Sequence, residues 1–282
     1  MEIVTTEVLK GPITIAPIGD LQLGSSSASK DHFKRHLDFV LKQPNPLFVG
    51  MGDSVDVASP SNRQKLRSAA LYDSVEEALV DAAERQIEEV KKLLEPTKGM
   101  WAGMLEGHHF FEFQDGSTTD TRLCEWLGTP FLGTSAFIQA RISSSDVYEV
   151  DNSRVTTCTI FCHHGEGSGT RVSAPINKLE GLISAFSADV YLIGHMSKKV
   201  AAPVDQLYAK RGGKLGHRTL LLVGTGGFSQ GYQEGSKSLA GNPRGSYVEK
   251  GMMKPVALGA PIISADYIRG HREDKLDLHV SL

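Results

Sequence analysis

The chain has 282 residues, 40% of them apolar and 22% charged, with a formal net charge of −3. That length supports a full hydrophobic core, and the mild acidity gives no overall electrostatic footprint for nucleic acid or an anionic membrane. No run approaches the roughly 18 apolar residues of a membrane helix, and Met1–Lys10, with Glu2 and Glu7, lacks the basic-then-apolar pattern of a signal peptide.

Three cysteines, Cys124, Cys158 and Cys162, form neither a CxxC pair nor an even framework. Cys158 and Cys162 lie in an apolar run, where free cysteine acts as a small core residue. The expectation is a cytoplasmic protein in a reducing setting.

In the first half, strand-like and helix-like pieces alternate. Ile13–Ile18 is a buried strand running into Gly19-Asp20. After a Ser/Gly stretch, a helix opened by Ser29 or Asp31 carries Phe33, Leu37, Val40 and Leu41 at helical spacing, and Pro44 and Pro46 stop it. Leu47-Phe48-Val49 begins a second strand ending at Gly52-Asp53. The longest helical signal spans Asp73 to Leu94, with Val75, Ala78, Leu79, Ala82, Ile87, Val90 and Leu94 on one face and a solvated acidic face opposite; Pro96 ends it. Met100–Met104 is a third strand, and a helix follows near Asp120–Leu127.

The second half reads as mostly β. Strands are expected at Ala136–Ile142, Val147–Val150, Val155–Cys162, Val190–Ile193, Thr219–Val223, Pro261–Asp266 and Lys275–Val280, with a helix at Asn177–Phe186. Gly224–Gly259 is glycine-rich and is expected to loop over the surface. No repeat or linker-like break interrupts the chain, so residues 1–282 are read as a single domain.

Polar, metal-competent residues recur directly after the expected strands. They are Asp20-Leu21-Gln22, Asp53-Ser54-Val55-Asp56, Gly107-His108-His109, His163-His164-Gly165 and Gly194-His195. Strand ends are where layered α/β folds bind ligands, because rigid strands aim the side chains. Carboxylates, imidazoles and an amide oxygen without a thiolate suit Mn²⁺, Fe, Zn²⁺, Co²⁺ or Ni²⁺ in a site that is not a structural zinc. Paired cations of this kind clamp the attacking and leaving oxygens in displacement at phosphorus.

In order and spacing, these five blocks, spread from Asp20 to Ser197, resemble the calcineurin-like metallophosphoesterase superfamily, and its small phage-type or uncharacterised members most closely. The resemblance implies a mixed α/β fold, a four-layer α/β/β/α sandwich of two mixed sheets. It also implies two divalent cations, Mn²⁺ first among the candidates. On the matched positions Asp20 and Gln22 would ligate the first ion, Asp53 would bridge both, and His108, His164 and His195 would complete the second. A hydroxide bridging the two ions would attack phosphorus in line. His109, oriented by Asp56, would assist the leaving oxygen.

Three positions depart from the family pattern. Gln22 stands where the family has histidine, His108 where it has asparagine, and Ser197 where it has the last histidine of Gly-His-x-His. Two of these changes weaken the first metal position.

The resemblance implies a phosphate-ester substrate, a diester ahead of a monoester. The alternatives are a DNA or RNA nuclease, which would make the partner a nucleotide or nucleic acid, and a non-catalytic, metal-stabilised scaffold. No membrane partner is expected, and nothing in the sequence specifies an oligomeric state. Among the remaining histidines, His163 is expected to point away from the site and His32 and His36 to be solvated, with His32 also within reach of the first ion as a substitute. His217, His271 and His279 are expected at the surface. Lys198, Lys199, Arg171 and Lys178 form either a phosphate-steering patch or a scatter of exposed cations. No residue is assigned to substrate binding.

Overall fold

The computed structural model describes residues 1–57, 59–69, 72–144, 155–167, 169–210, 212–238, 240–268 and 275–282. Among these the elements run β1 (Glu2–Lys10), β2 (Ile13–Ile18), α1 (Lys30–Val40), β3 (Pro46–Gly50), α2 (Pro60–Ser68), α3 (Asp73–Leu94), β4 (Trp101–Met104), α4 (Thr119–Leu127), β5 (Ser135–Ser143), β6 (Val155–His163), α5 (Ala174–Glu180), β7 (Val190–Ile193), β8 (Lys199–Ala209), β9 (Leu215–Thr225), α6 (Tyr247–Lys250), β10 (Ile262–Ile268) and β11 (Lys275–Ser281).

Strands with continuous apolar runs are covered on both faces, whether inside a sheet, as β2 and β7 are, or at its end, as β4 is. β2, β4 and β7 are buried at every position, as expected of strands covered on both faces. One sheet has the order β11-β10-β2-β3-β4, the other β1-β5-β6-β7-β9-β8. Within the first, β2, β3 and β4 are parallel; within the second, β6, β7 and β9 are parallel. Both sheets are mixed, because β10 joins β2 antiparallel and β5 joins β6 antiparallel.

Three apolar layers hold these sheets together. The inner faces meet through Ile15, Val49 and Met51 from one sheet and Ile138, Ile160, Leu192 and Val223 from the other. The outer face of the smaller sheet, with Ala16, Ile18 and Phe48, packs under Phe33 and Leu37 of α1, Ile87 and Val90 of α3, and Leu123 of α4. The outer face of the larger sheet, with Phe161, Tyr191 and Leu222, packs on Leu179 of α5. The architecture is therefore the expected four-layer α/β/β/α sandwich. No described helix is long and apolar enough to cross a membrane.

Several local expectations change. β1 and β8 were not anticipated, because edge strands face solvent and need no apolar run; β8 even accommodates Pro203. Polar α2 has no apolar stripe, and its only signal was Ser59 as N-cap with Pro60 behind it. The expected apolar face of α3 becomes buried only from Ala83 onward; Val75 is 42% exposed. The helix expected over Asn177–Phe186 lies earlier, at Ala174–Glu180. Gly224–Gly259 is not all surface loop, since Gly226, Gly227, Phe228 and Ser229 are buried. The strand expected at Val147–Val150 lies outside the described residues.

Ile160 is wholly buried and pairs with Ile138 on one side and Val190 on the other. Ile160→Ala should cost about 2–5 kcal/mol, read as a lower urea midpoint with an unchanged slope.

Candidate metal centre

Five strands, parallel within each sheet, deliver the candidate ligands to one edge of the sandwich. Asp20 follows β2, Asp53 follows β3, and His108 follows β4; His164 and His195 follow β6 and β7 from the opposite sheet. The loops that carry them are forced into uncommon backbone conformations. Asp20 (φ 49°), Gln22 (49°), Asp53 (54°), His195 (63°) and Ser197 (47°) all sit in the left-handed region. Such conformations cost non-glycine residues free energy and concentrate at functional sites. At Gly107 the close approach is absolute: a Cβ there would lie 2.1 Å from Asp53 N and 2.3 Å from Asp53 Oδ1.

That approach organises Asp53. Its Oδ1 accepts the backbone N–H groups of His108 at 2.5 Å and His109 at 3.0 Å. Its Oδ2 has no hydrogen-bond partner and lies 3.6 Å from Nε2 of His164. The His164 ring is turned by its other nitrogen, whose N–H donates to the Met51 carbonyl at 2.6 Å. A carbonyl can only accept, so the proton is on Nδ1 and the Nε2 lone pair faces Asp53, the arrangement that orients a metal-binding imidazole. His108 and His195 approach to 3.1 Å between their Nδ1 atoms. The candidate ligand atoms of His108, His164 and His195 all lie within 4.8 Å of one another. Ligand atoms around a tetrahedral ion with bonds of about 2.0–2.1 Å stand about 3.3 Å apart, so separations of 3.1 and 3.6 Å are those of neighbours on one ion.

Asp20 completes the cluster from the other side. It is 1% exposed, and neither of its carboxylate oxygens has a hydrogen-bond partner. Asp20 Oδ1 and Oδ2, Asp53 Oδ2 and His164 Nε2 are thus four ligand-type atoms, buried together without partners. Leaving such groups unsatisfied costs about 1–3 kcal/mol each, more when charged, and ordered water or an ion ordinarily satisfies them; two carboxylates beside imidazole nitrogens suit an ion. The residues present therefore fit a divalent cation.

The electrostatics agree. Burial, together with the Asp53 charge, pushes the Asp20 carboxyl well above the usual range, so two adjacent buried carboxylates call for a positive charge between them. Burial lowers the His164 pKa against the pull of Asp53. Burial and the neighbouring His164 and His108 push His195 down to about 4. Both imidazoles are held neutral, the state that ligates. His109 goes the other way. Burial alone would lower it, but the hydrogen bond to Asp56 and the charges of Asp53 and Asp56 together raise it. Its Nδ1 lies 2.8 Å from Asp56 Oδ1, with the two side chains 23% and 29% exposed, so this pair reaches the protein surface beside the buried cluster.

Gln22 sits on the Asp20 loop, half-buried, and its backbone N–H bonds the Asp53 carbonyl at 2.9 Å. Ser197 lies near Asp20, since a Cβ on Gly227 would meet both, Asp20 Cβ at 2.8 Å and Ser197 Oγ at 3.2 Å. His163 accepts the Gly165 N–H at 2.8 Å and so shapes the His164 turn. His32 is exposed, bonded to Ser29 at 2.8 Å. His36 departs from expectation: it packs half-buried against Phe228, and burial, with Lys199 nearby, pushes it down to about 4. His217 and His279 are exposed; His271 lies outside the described residues. Of the four cations read as either a phosphate-steering patch or a scatter, three are tied to loop carbonyls, Lys178 on Glu166, Lys198 on Gly169 and Lys199 on Leu258.

Sequence reading missed three contributors. Asp120, buried in the first turn of α4, accepts the Gly107 N–H at 2.9 Å, and burial pushes its carboxyl up to about 7. Arg63 of α2 reaches the same loop. The turn after β9 supports Asp20 by donating the Phe228 N–H to its carbonyl at 2.9 Å. The Thr118-x-x-Thr121 capping box that starts α4 was the one available signal for Asp120.

Fold and site together define a class: a four-layer sandwich whose strand ends gather carboxylates and imidazoles able to hold a metal ion. No family model and no curated protein matches the chain. Among solved structures, Vacuolar Protein Sorting 29 from Cryptosporidium parvum is similar at 13% identity, covering 96% of this chain and 98% of that one with a TM-score of 0.33. A likeness that distant carries no weight for fold or function; the architecture rests on the strands and layers described above.

Saturating Mn²⁺ or Zn²⁺, at about 100 times the dissociation constant, should stabilise the protein by about 2.7 kcal/mol, seen as a rise in melting temperature. His164→Ala should abolish that rise. Gly107→Ala should weaken it, since the added methyl displaces the loop from Asp53.

Proposed function

We propose that this protein is a dinuclear, metal-dependent phosphoesterase of the calcineurin-like type, acting on phosphodiesters ahead of phosphomonoesters. One observation carries the reading: the four partnerless ligand atoms of Asp20, Asp53 and His164 are buried beside His108 and His195, with an oriented His109 at the rim. A structural ion has no use for that rim pair, whereas a hydrolase requires a proton donor next to its metals.

Asp53 is suited to bridging, because Oδ1 is committed to two backbone N–H groups and Oδ2 alone faces the cluster. Asp20 and the amide of Gln22 would hold the first ion; His108, His164 and His195 would hold the second. When bound, the ions lower the pKa of water toward neutrality and offset charge on the phosphoryl oxygens. Asp56 accepts from the Nδ1–H of His109 and, with Asp53, favours its protonated form; that imidazolium would present its Nε2–H to the leaving oxygen. Mn²⁺ is the preferred metal, with Fe, Zn²⁺, Co²⁺ and Ni²⁺ as alternatives, because the donor set mixes carboxylate oxygen with imidazole nitrogen. The first position, with Gln22 and Ser197 in place of imidazoles, would bind its ion more weakly than the second.

Hydrolysis of bis(p-nitrophenyl) phosphate, compared with the monoester in Mn²⁺ and in chelator, tests this reading. Metal-dependent turnover of the diester is expected. Turnover of neither ester would leave a metal-stabilised scaffold, and degradation of DNA or RNA would identify a nuclease. His109→Ala should cut turnover by about 10²–10⁴-fold with metal content nearly intact. Asp53→Ala should lose both ions, and retention of two by elemental analysis would rule out the bridge.

A further inference from the structure

The segment from Gly107 to Phe110, which carries two of the site's histidines, belongs to no helix or strand, yet its backbone is held from several directions. The Gly107 N–H donates to Asp120, the N–H groups of His108 and His109 donate to Asp53, and the His109 carbonyl accepts from Val57 N at 3.3 Å. The carbonyls on either side of His109 have a different partner. Nη1 of Arg63 donates to the His108 carbonyl at 2.6 Å and to the Phe110 carbonyl at 3.0 Å. Its guanidinium carbon also lies 3.8 Å from the centroid of the Phe110 ring. A single nitrogen therefore joins the carbonyls of the two residues that flank the rim histidine.

None of the described side chains of α2 is fully buried, and Arg63 ties this helix to the loop through those two carbonyls. We propose that Arg63 is a positioning residue for the reaction: by pinning the His108 and Phe110 carbonyls, it fixes the backbone twist that aims His109, while Asp56 fixes its ring. A charged donor shared between two acceptors on one loop is a strong and directional restraint. A displacement of about 1 Å in a catalytic group can cost about 10²-fold in rate. The inference deepens the phosphoesterase reading and rests on it.

Arg63→Ala should lower kcat on bis(p-nitrophenyl) phosphate by about 10–100-fold, with KM within about twofold of wild type and metal content unchanged. Arg63→Lys should recover part of the loss. Lys65→Ala, which removes a charge from the same helix without touching the loop carbonyls, should leave kcat unchanged. Amides of residues 107–111 should exchange with deuterium faster in Arg63→Ala than in wild type. A rise in KM at constant kcat would make Arg63 a substrate-binding residue and overturn the proposal, as would an equal loss of kcat in Lys65→Ala or unaltered amide exchange. Should the wild type hydrolyse no phosphate ester, the phosphoesterase reading fails by itself, and faster exchange in Arg63→Ala would then mark a structural clamp rather than a positioning residue, overturning the proposal as well.

Discussion

Two buried carboxylates set the terms for the rest of the molecule. Asp20 and Asp53 are each 1% exposed, and three of their four oxygens lack a hydrogen-bond partner. Burying like charges side by side is unfavourable unless something positive joins them. The surrounding structure is arranged to enforce the juxtaposition: the parallel ends of β2 and β3 place the two residues on adjoining strands, and the left-handed turns at both aspartates hold them there. A fold that bears this cost at one edge of its sandwich fits a cation there.

The geometry around Asp53 shows how the two sides of that carboxylate divide their labour. One oxygen accepts the N–H groups of His108 and His109 and so fixes the third loop. The other is left to the cluster. The same residue thus orders the protein chain and offers a ligand, and the missing side chain at Gly107 is what allows both at once.

Much of this was legible in the sequence, for reasons that can be named. Strands buried on both faces, such as Ile13–Ile18 and Val190–Ile193, have continuous apolar runs, and their ends were read to the residue. The candidate ligands Asp20, Asp53, His108, His164 and His195 stand out because each comes soon after a strand, beside a glycine. What stayed hidden lacked an apolar signature. Edge strands β1 and β8 are half solvated, and α2 carries Leu66 as the one apolar side chain among those described, too little for a stripe. Asp120 and Arg63 act on backbone groups of a distant loop, and no local pattern announces a partner 13 or 45 residues away. The buried turn at Gly226–Ser229 was mistaken for surface because glycine richness signals freedom of backbone and says nothing of burial.

Met51 brings the two sheets into a single mechanical unit. Its side chain is wholly buried in the layer between the sheets, while its carbonyl accepts a hydrogen bond from the Nδ1–H of His164 on the opposite sheet. The ring that faces Asp53 is therefore indexed to interior packing, and a slip of one sheet over the other would be felt at once as a change of angle at a ligand. The geometry of the candidate centre is therefore set in part away from it: a methylene gained or lost in the greasy seam beneath would be felt at the His164 ring.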